Sequence, residues 1–244
     1  MPIDRETLLL IAIALVPSVF LLVKVYKEDR LEAEPVKLLV QLVLLGTLST
    51  IPAVLLESLG EKVLIQNDIQ EPYYSLVRNF LIIAVSEEVS KYILLKLRTW
   101  KDKNFNCTFD GVVYAVFVSL GFAMFENILY VFNYGFSTGI IRNITAIPGH
   151  ACFGVFMGIN YGIAKREYSA GKILASKFYK ILGLSVAVIM HGMYDYIATT
   201  DGSVLIFAVF VIAMVAAGFI QLNKASVKDT FIMPDVEKDA SSDR

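Results

Sequence analysis

Residues 111–132 read GVVYAVFVSLGFAMFENILYVF, a run in which Glu126 is the single charged side chain. A helix needs about 20 mostly apolar residues to cross the hydrocarbon core of a bilayer, so this run predicts a transmembrane helix. The whole chain has the same character, with 56% hydrophobic and 18% charged residues among 244 and a mean hydropathy of +0.62. Water-soluble domains carry about 45–50% apolar and about 25% charged residues. We therefore expect an integral membrane protein, which excludes a soluble Rossmann-type enzyme or a secreted disulfide scaffold.

Six further stretches are long and apolar enough to span a membrane. The seven predicted spans are Thr7–Val25, Val36 to about Leu56, Leu76–Leu97, Gly111–Phe132, Ile140–Ala164, Phe178–Ala198 and Ser203–Leu222. The predicted fold is an all-α polytopic membrane protein, a bundle of about seven transmembrane helices over residues 1–222. Residues 223–244 are polar and are predicted to form a disordered tail.

The positive charges predict how this bundle is oriented. Seventeen of the 22 Lys and Arg residues fall after the first, third, fifth and seventh spans, and only four fall on the opposite side. Cytoplasmic loops carry the excess of Lys and Arg, so the N-terminus is predicted outside and the C-terminus in the cytoplasm. The expected location is the cell membrane, as a multi-pass protein in the lipid bilayer. A net charge of -1 provides no basic field, so we expect no nucleic-acid partner.

The most informative residues are the ionisable side chains inside the predicted spans. They are Glu87, Glu88, Lys91, Glu126, His150, His191 and Asp195. A charged group at the middle of a bilayer costs about 2.5–3.5 kcal/mol on insertion scales, so such residues are retained mainly for function.

Four of these residues are predicted to lie at one depth. Glu87, Glu126, His150 and His191 are each about 7–11 residues from the outer end of their own span, or roughly 10–17 Å at about 1.5 Å per residue. Four polar groups from four helices thus share one layer in the outer half of the bilayer. This layer is the predicted functional site.

The spacing within each helix adds partners to this site. Lys91 lies four residues after Glu87 and three after Glu88, so it can pair with either carboxylate. Asp195 lies four residues after His191 and could orient its imidazole. A stripe of small residues, Gly154, Gly158 and Gly162, continues from His150 at four-residue spacing and predicts a close approach of another helix.

Two kinds of hydrolytic chemistry remain open from these residues. A carboxylate could act as general base on water while imidazoles stabilise the oxyanion or protonate the leaving amine. Alternatively, His150 and His191 could bind Zn²⁺ together with Glu88 or Glu126, because two His and one carboxylate are a catalytic zinc set. The sequence contains neither HExxH nor GxSxG, so a zincin helix and a serine elbow are both unsupported.

Four motifs in order resemble those of the PrsW intramembrane proteases. Residues 87–91 (EEVSK) resemble their EExxxK motif, residues 122–127 (FAMFEN) resemble FxxxEN, residues 150–154 (HACFG) resemble HxxxG, and residues 191–195 (HGMYD) resemble HxxxD. In the related CAAX-processing and bacteriocin-immunity proteases the first motif usually ends in Arg and the second in His. Lys91 and Glu126 stand at those positions here, which favours the PrsW branch.

The resemblance implies an intramembrane endopeptidase that makes the first, extracytoplasmic cut in a single-pass membrane protein, an anti-sigma factor. It implies Glu87 as the base that activates water, with catalytic contributions from a further set of residues: Glu88, Glu126, His150 and His191. Lys91, Asn127 and Asp195 are the implied supporting residues. A metal stays open, with Zn²⁺ held by Glu88, Glu126, His150 and His191.

A proton- or ion-coupled transporter is the alternative function, because intramembrane Glu, Asp, Lys and His are what such a protein needs. Against it, the chain shows no internal repeat of the kind from which many transporters are built.

Overall fold

The computed structural model describes residues 5–200 and 203–232, and within them the chain is almost entirely helical. In chain order the elements are α1 (Arg5–Glu28), α2 (Val36–Leu48), α3 (Thr50–Gln66), α4 (Tyr73–Leu76), a π-helical segment (Val77–Ala84), α5 (Val85–Thr99), α6 (Asp110–Tyr134), α7 (Phe136–Ile144), α8 (Ala146–Ser169), α9 (Ile173–Thr199) and α10 (Val204–Val227). The predicted all-α polytopic fold is confirmed.

Five segments of the described residues are long and apolar enough to cross a membrane by themselves. They are Leu9–Glu28, Val36–Gln66, Asp110–Tyr134, Ile173–Thr199 and Val204–Val227. The two other predicted spans correspond to the helical stretch through α5 and to α8. Both are less apolar because they carry buried charged or polar residues, Glu87, Glu88 and Lys91 in α5 and His150 in α8.

Helix α6 forms the centre of the bundle and is buried along most of its length. It packs against α8 on one side and against α1 and α2 on the others. The glycine stripe of α8 approaches the start of α6 closely, as predicted. A Cβ added at Gly158 would lie 2.5 Å from the Cα of Val112, and one at Gly162 would lie 2.0 Å from the carbonyl oxygen of Thr108.

Two predicted spans are interrupted in the structure. The second is divided at Ser49 and continues to Gln66, well past Leu56, and the fifth is divided at Thr145. Proline explains both breaks, because its ring clashes with the carbonyl four residues earlier in a continuous helix. Pro52 would oppose Leu48, and Pro148 would oppose Ile144, the last residues of α2 and α7.

The third span enters the bundle with a change of helical form. It is π-helical over Val77–Ala84 and becomes α-helical at Val85, two residues before Glu87. π-Helical turns are rare and occur frequently at functional sites.

The end of the chain differs from the predicted boundary at residue 223. Helix α10 continues to Val227, and Phe231 forms a β-bridge with Cys107. The remainder of the predicted tail, residues 233–244, lies outside the described residues.

Candidate active site

The structure brings the predicted site residues together from four helices. Glu87, Glu88 and Lys91 come from α5, Glu126 from α6, His150 from α8 and His191 from α9. All except Glu126 are buried, and Glu126 is half-buried. The rings of His150 and His191 lie 5.3 Å apart, measured between centroids.

Lys91 lies at the centre of this group. Its Nζ is 3.0 Å from Oε2 of Glu87, 2.8 Å from Oε1 of Glu88 and 3.2 Å from Nδ1 of His150. It also lies over the ring of Phe122, 3.8 Å from the centroid. The three donors of one ammonium group are thus all used within the site, which stabilises a charge that is only 2% exposed.

These contacts define the tautomer of His150. Because an ammonium group only donates, Nδ1 of His150 accepts from Lys91, and the ring proton lies on Nε2. Nε2 then donates to Oε2 of Glu126 at 3.0 Å. The same oxygen lies 2.8 Å from Arg142 in α7, so Glu126 is held from two sides.

His191 lies between carboxylates. Its Nδ1 is 2.9 Å from Oε1 of Glu88, and its Nε2 is 3.3 Å from Asp195 and 3.8 Å from Glu87. Phe153 stacks on the imidazole at 4.9 Å between ring centroids, which restricts its rotation. Asp195 therefore has the orienting position that its spacing predicted.

A cavity of about 320 Å³ opens beside these residues. Glu87, Glu126, His150, His191 and Asp195 line it, whereas Glu88 and Lys91 lie behind its wall. Water takes about 30 Å³ per molecule in the liquid, so the cavity has room for several water molecules and for part of a peptide. Of the two adjacent glutamates, only Glu87 reaches this space.

The residues present fit a divalent metal. Four carboxylates, Glu87, Glu88, Glu126 and Asp195, face two fixed cations, Lys91 and Arg142, so two negative charges remain for protons or a metal ion to neutralise. One buried oxygen of Glu88, Oε2, has no hydrogen-bond partner.

The candidate ligands fall into two groups that share Glu87. One group is Glu87, Glu88 and His191, and the other is Glu87, Glu126 and His150, with ligand atoms within 4.8 Å of one another in each. The set predicted from sequence, Glu88, Glu126, His150 and His191, thus divides between two groups in the described part of the chain. Carboxylate oxygen and imidazole nitrogen are both zinc ligands.

Sequence reasoning missed two groups that shape the site. Arg142 appeared only as a charge on the outer side, yet it binds Glu126 and lies over the ring of Tyr130, 3.8 Å from the centroid. Its position beside apolar residues within a predicted span was the available signal. Glu57 of α3 also lines the cavity.

Asn127 does not line the cavity but contacts Arg142, which does. It is fully buried, accepts from Nε of Arg142 at 3.2 Å, and donates to Ala14 of α1 and Asn143 of α7. The predicted supporting residue thus holds the arginine that holds Glu126.

A polytopic helical bundle with carboxylates and imidazoles around a cavity that holds several water molecules has the features expected of an intramembrane hydrolase. A profile described as PrsW family intramembrane metalloprotease matches residues 34–219. The chain belongs to this family of multi-pass membrane proteases, and the transporter alternative has no support.

Curated relatives agree with this assignment. The chain is 32% identical to Protease PrsW of Bacillus subtilis (strain 168) over 190 residues, 78% of this chain and 83% of that protein. It is 31% identical to Protease PrsW of Geobacillus kaustophilus (strain HTA426) over 77% of this chain and 79% of the relative. The chain is 28% identical to Protease PrsW of Clostridioides difficile (strain 630) over 88% of this chain and 90% of that protein. No solved structure gives a significant match.

Proposed function

We propose that this protease cleaves a single-pass membrane protein in the outer half of the bilayer, and that the substrate is an anti-sigma factor cut at its first site. The observation that carries the proposal is the buried cavity lined by Glu87, Glu126, His150 and His191. The cavity contains a general base and two imidazoles. It also has room for water inside the bilayer, where lipid would otherwise exclude it.

The residues support one sequence of proton transfers. The carboxylate of Glu87 accepts a proton from water as the water oxygen forms a bond to the scissile carbonyl carbon. The developing oxyanion accepts a hydrogen bond from an imidazole N–H of the cavity wall, for which His150 Nε2 and His191 Nε2 are the candidates. The proton on Glu87 then passes to the amine as the carbon–nitrogen bond breaks.

Glu88 and Lys91 position this base. Lys91 binds both glutamates, and Glu88 in turn binds His191, so the base and one imidazole share a support behind the cavity wall. A charge held in this way needs little reorganisation during the reaction.

The metal of a metalloprotease has a candidate place in the same wall. Glu126 and His150 would hold Zn²⁺ on the cavity side, and Glu88 and His191 are a second candidate pair; Glu87, which belongs to both groups, would act as the base beside the metal. When bound, Zn²⁺ supplies a Lewis acid that polarises water or a carbonyl oxygen.

The anti-sigma factor rests on family resemblance together with depth. The site residues are roughly 10–17 Å from the predicted outer ends of their spans. A cut at that level separates an extracytoplasmic domain from its membrane anchor, which is the kind of cut expected to start release of a sigma factor.

The test is membrane proteomics in the native cell under envelope stress, comparing the wild type with Glu87→Gln at equal expression. Glu87→Gln removes the base and keeps the side-chain shape. Glu71→Gln, at an exposed position before α4, is the matched control. A single-pass anti-sigma factor should accumulate uncut in Glu87→Gln alone. If a different membrane protein accumulates, the proposed protease activity is supported and the proposed anti-sigma factor substrate is wrong.

Metal analysis of the purified protein tests the zinc site separately. We expect about one Zn²⁺ per chain in the wild type and a loss of roughly 10-fold or more in affinity in His150→Ala, as for other metal-site ligands. Asn160→Ala, a change elsewhere on α8, should keep the metal. Equal zinc content in all three proteins would exclude His150 as a ligand.

A further inference from the structure

A second cluster of carboxylates lies at the other end of the bundle. Asp29 follows α1, Glu34 precedes α2, and Asp110 begins α6, and their oxygen atoms come within 4.8 Å of one another. Asp110 precedes Glu126 by four to five helical turns, or roughly 24 Å along α6 at about 1.5 Å per residue. The cluster therefore shares no residue with the active site.

Several oxygens of this cluster lack a partner although they are buried. Asp110 is fully buried, and its Oδ2 accepts from the backbone N–H groups of Asn106 and Cys107, but its Oδ1 has no partner. Oε2 of Glu34, which is 4% exposed, and both carboxylate oxygens of Asp29 also lack a hydrogen bond of normal geometry, although the backbone N–H of Glu34 faces the Asp29 carboxylate. Among the described residues, no Lys, Arg or His forms an ion pair with these three carboxylates.

A neutral side chain points to the same place. Tyr114 is fully buried one turn after Asp110, and its hydroxyl lies toward Glu34 without a hydrogen bond of normal geometry. It faces Glu34 and Asp110, whose charges act on it. An unpaired buried hydroxyl beside unpaired buried carboxylates costs stability, because each group has lost its water without gaining a partner.

The pKa values of the two loop carboxylates are raised, as expected for buried carboxylates that have no cation beside them. Burial raises the pKa of Glu34 to about 7, and burial with the charge of Asp229 raises the pKa of Asp29 to about 6. Buried carboxylates normally pair with cations or coordinate metals.

We propose that Asp29, Glu34 and Asp110 bind one hard divalent cation, Mg²⁺ or Ca²⁺, with the hydroxyl of Tyr114 beside it. The donors are oxygens alone, which is the set that these two ions prefer. No His or Cys atom belongs to this ligand group, in contrast to both groups at the active site. Water commonly supplies the remaining ligands of both ions.

Such an ion would join two segments that are distant in sequence. The α1–α2 loop supplies Asp29 and Glu34, and α6 supplies Asp110. The segment after α10 is already attached there, since Asp229 accepts from the N–H of Phe109 at 2.7 Å and from the hydroxyl of Thr108 at 2.9 Å. The ion would stabilise the end of the bundle that carries the C-terminal segment.

The test uses the full-length protein in detergent, stripped with EDTA and then given Ca²⁺ or Mg²⁺ at about 1–10 mM. We expect the melting temperature to rise by roughly 5 °C or more when the ion is at about 100 times its dissociation constant. Tb³⁺ serves as a direct probe, because nearby aromatic side chains can sensitise the luminescence of the bound ion. Tyr114 is one such side chain. The single tryptophan, Trp100, is another, since the ring of Phe105 packs between it and Tyr114.

Matched variants separate this site from the active site. Glu34→Gln and Asp29→Asn should lose both the shift in melting temperature and the Tb³⁺ signal, and two variants are used in case one fails to fold. Glu32→Gln removes an exposed carboxylate of the same loop and should keep both responses, as should Glu87→Gln. A wild type that responds to none of these ions, or a response that survives in Glu34→Gln and Asp29→Asn, would overturn the proposal and leave a cluster neutralised by protons.

Discussion

At the scale of single residues, two adjacent glutamates have different surroundings. Glu87 lines the cavity, whereas Glu88 is fully buried between Lys91 and His191. Glu87→Gln should lower kcat by about 10²–10⁴-fold, the usual contribution of a general base, with little change in melting temperature. Glu88→Gln should destabilise the fold by about 3 kcal/mol, because the fully buried Glu88 carboxylate binds both Lys91 and His191, whereas Glu87 is bound by Lys91 and opens to the cavity. Cleavage assays and thermal melts of both purified variants measure this contrast. A stable, inactive Glu88→Gln beside an active Glu87→Gln would reverse the assignment.

Arg142 offers a second test at this scale. It binds Glu126, donates to Asn127 and lies over Tyr130, so it positions the carboxylate that accepts from His150. Arg142→Gln should lower kcat by about 10–100-fold, as for other residues that orient a site, and should change KM less. Arg142→Lys should restore only part of the rate, because an ammonium group cannot replace a planar guanidinium at a stacked position. A KM effect with unchanged kcat would indicate a role in substrate binding instead.

The sequence predicted which residues lie together far better than how they are joined. Ionisable residues inside apolar spans can be recognised from the sequence alone. The same holds for the i,i+4 pairs Glu87–Lys91 and His191–Asp195, each within one helix. The bonds from Lys91 to His150 and from Arg142 to Glu126 join residues on different helices. They depend on the rotation of each helix about its axis, which hydropathy does not encode.

At the scale of elements, apolar length predicted the helices and missed their breaks. Proline in the first turn after each break explains the divisions at Ser49 and Thr145, yet Pro17 lies inside α1 without dividing it. Proline therefore marks a candidate break, and packing decides whether the helix ends there. The π-helical segment before Glu87 had no signal in the hydropathy pattern.

The contact between α6 and α8 gives a prediction for an element. At Gly158 a Cβ would lie 2.5 Å from the Cα of Val112 and 2.6 Å from a backbone oxygen, so Gly158→Ala must push the two helices apart. We expect a loss of about 1–3 kcal/mol and a large fall in activity, because α8 carries His150. Gly149→Ala on the same helix is the control, since its Cβ would meet no atom nearer than the flexible end of Met214 at 3.4 Å. Equal thermal stability of the two variants would contradict the importance of this contact.

At the scale of the whole molecule, the two carboxylate clusters divide the bundle into ends with different chemistry. The candidate active site lies nearer the end where Asn79 contacts Thr199 at 3.0 Å, and the proposed cation cluster lies at the other end, where α6 begins. The alternation of positive charge predicted which end faces the cytoplasm, but it gave no sign of the second carboxylate cluster. Which end faces outward remains a prediction, and the proposed cut depends on it.

Cysteine labelling in intact cells tests that orientation. The native Cys107 and Cys152 are both buried, so they contribute little background. Gln70→Cys lies on an exposed connection before α4, and Lys172→Cys lies on an exposed turn before α9 at the opposite end. With the N-terminus outside, a membrane-impermeant maleimide should label Gln70→Cys in intact cells and Lys172→Cys only after permeabilisation. The reverse pattern would put Glu87 in the inner half of the bilayer, where a cut could not separate an extracytoplasmic domain from its anchor. In that case the substrate should be sought among proteins whose released part is cytoplasmic.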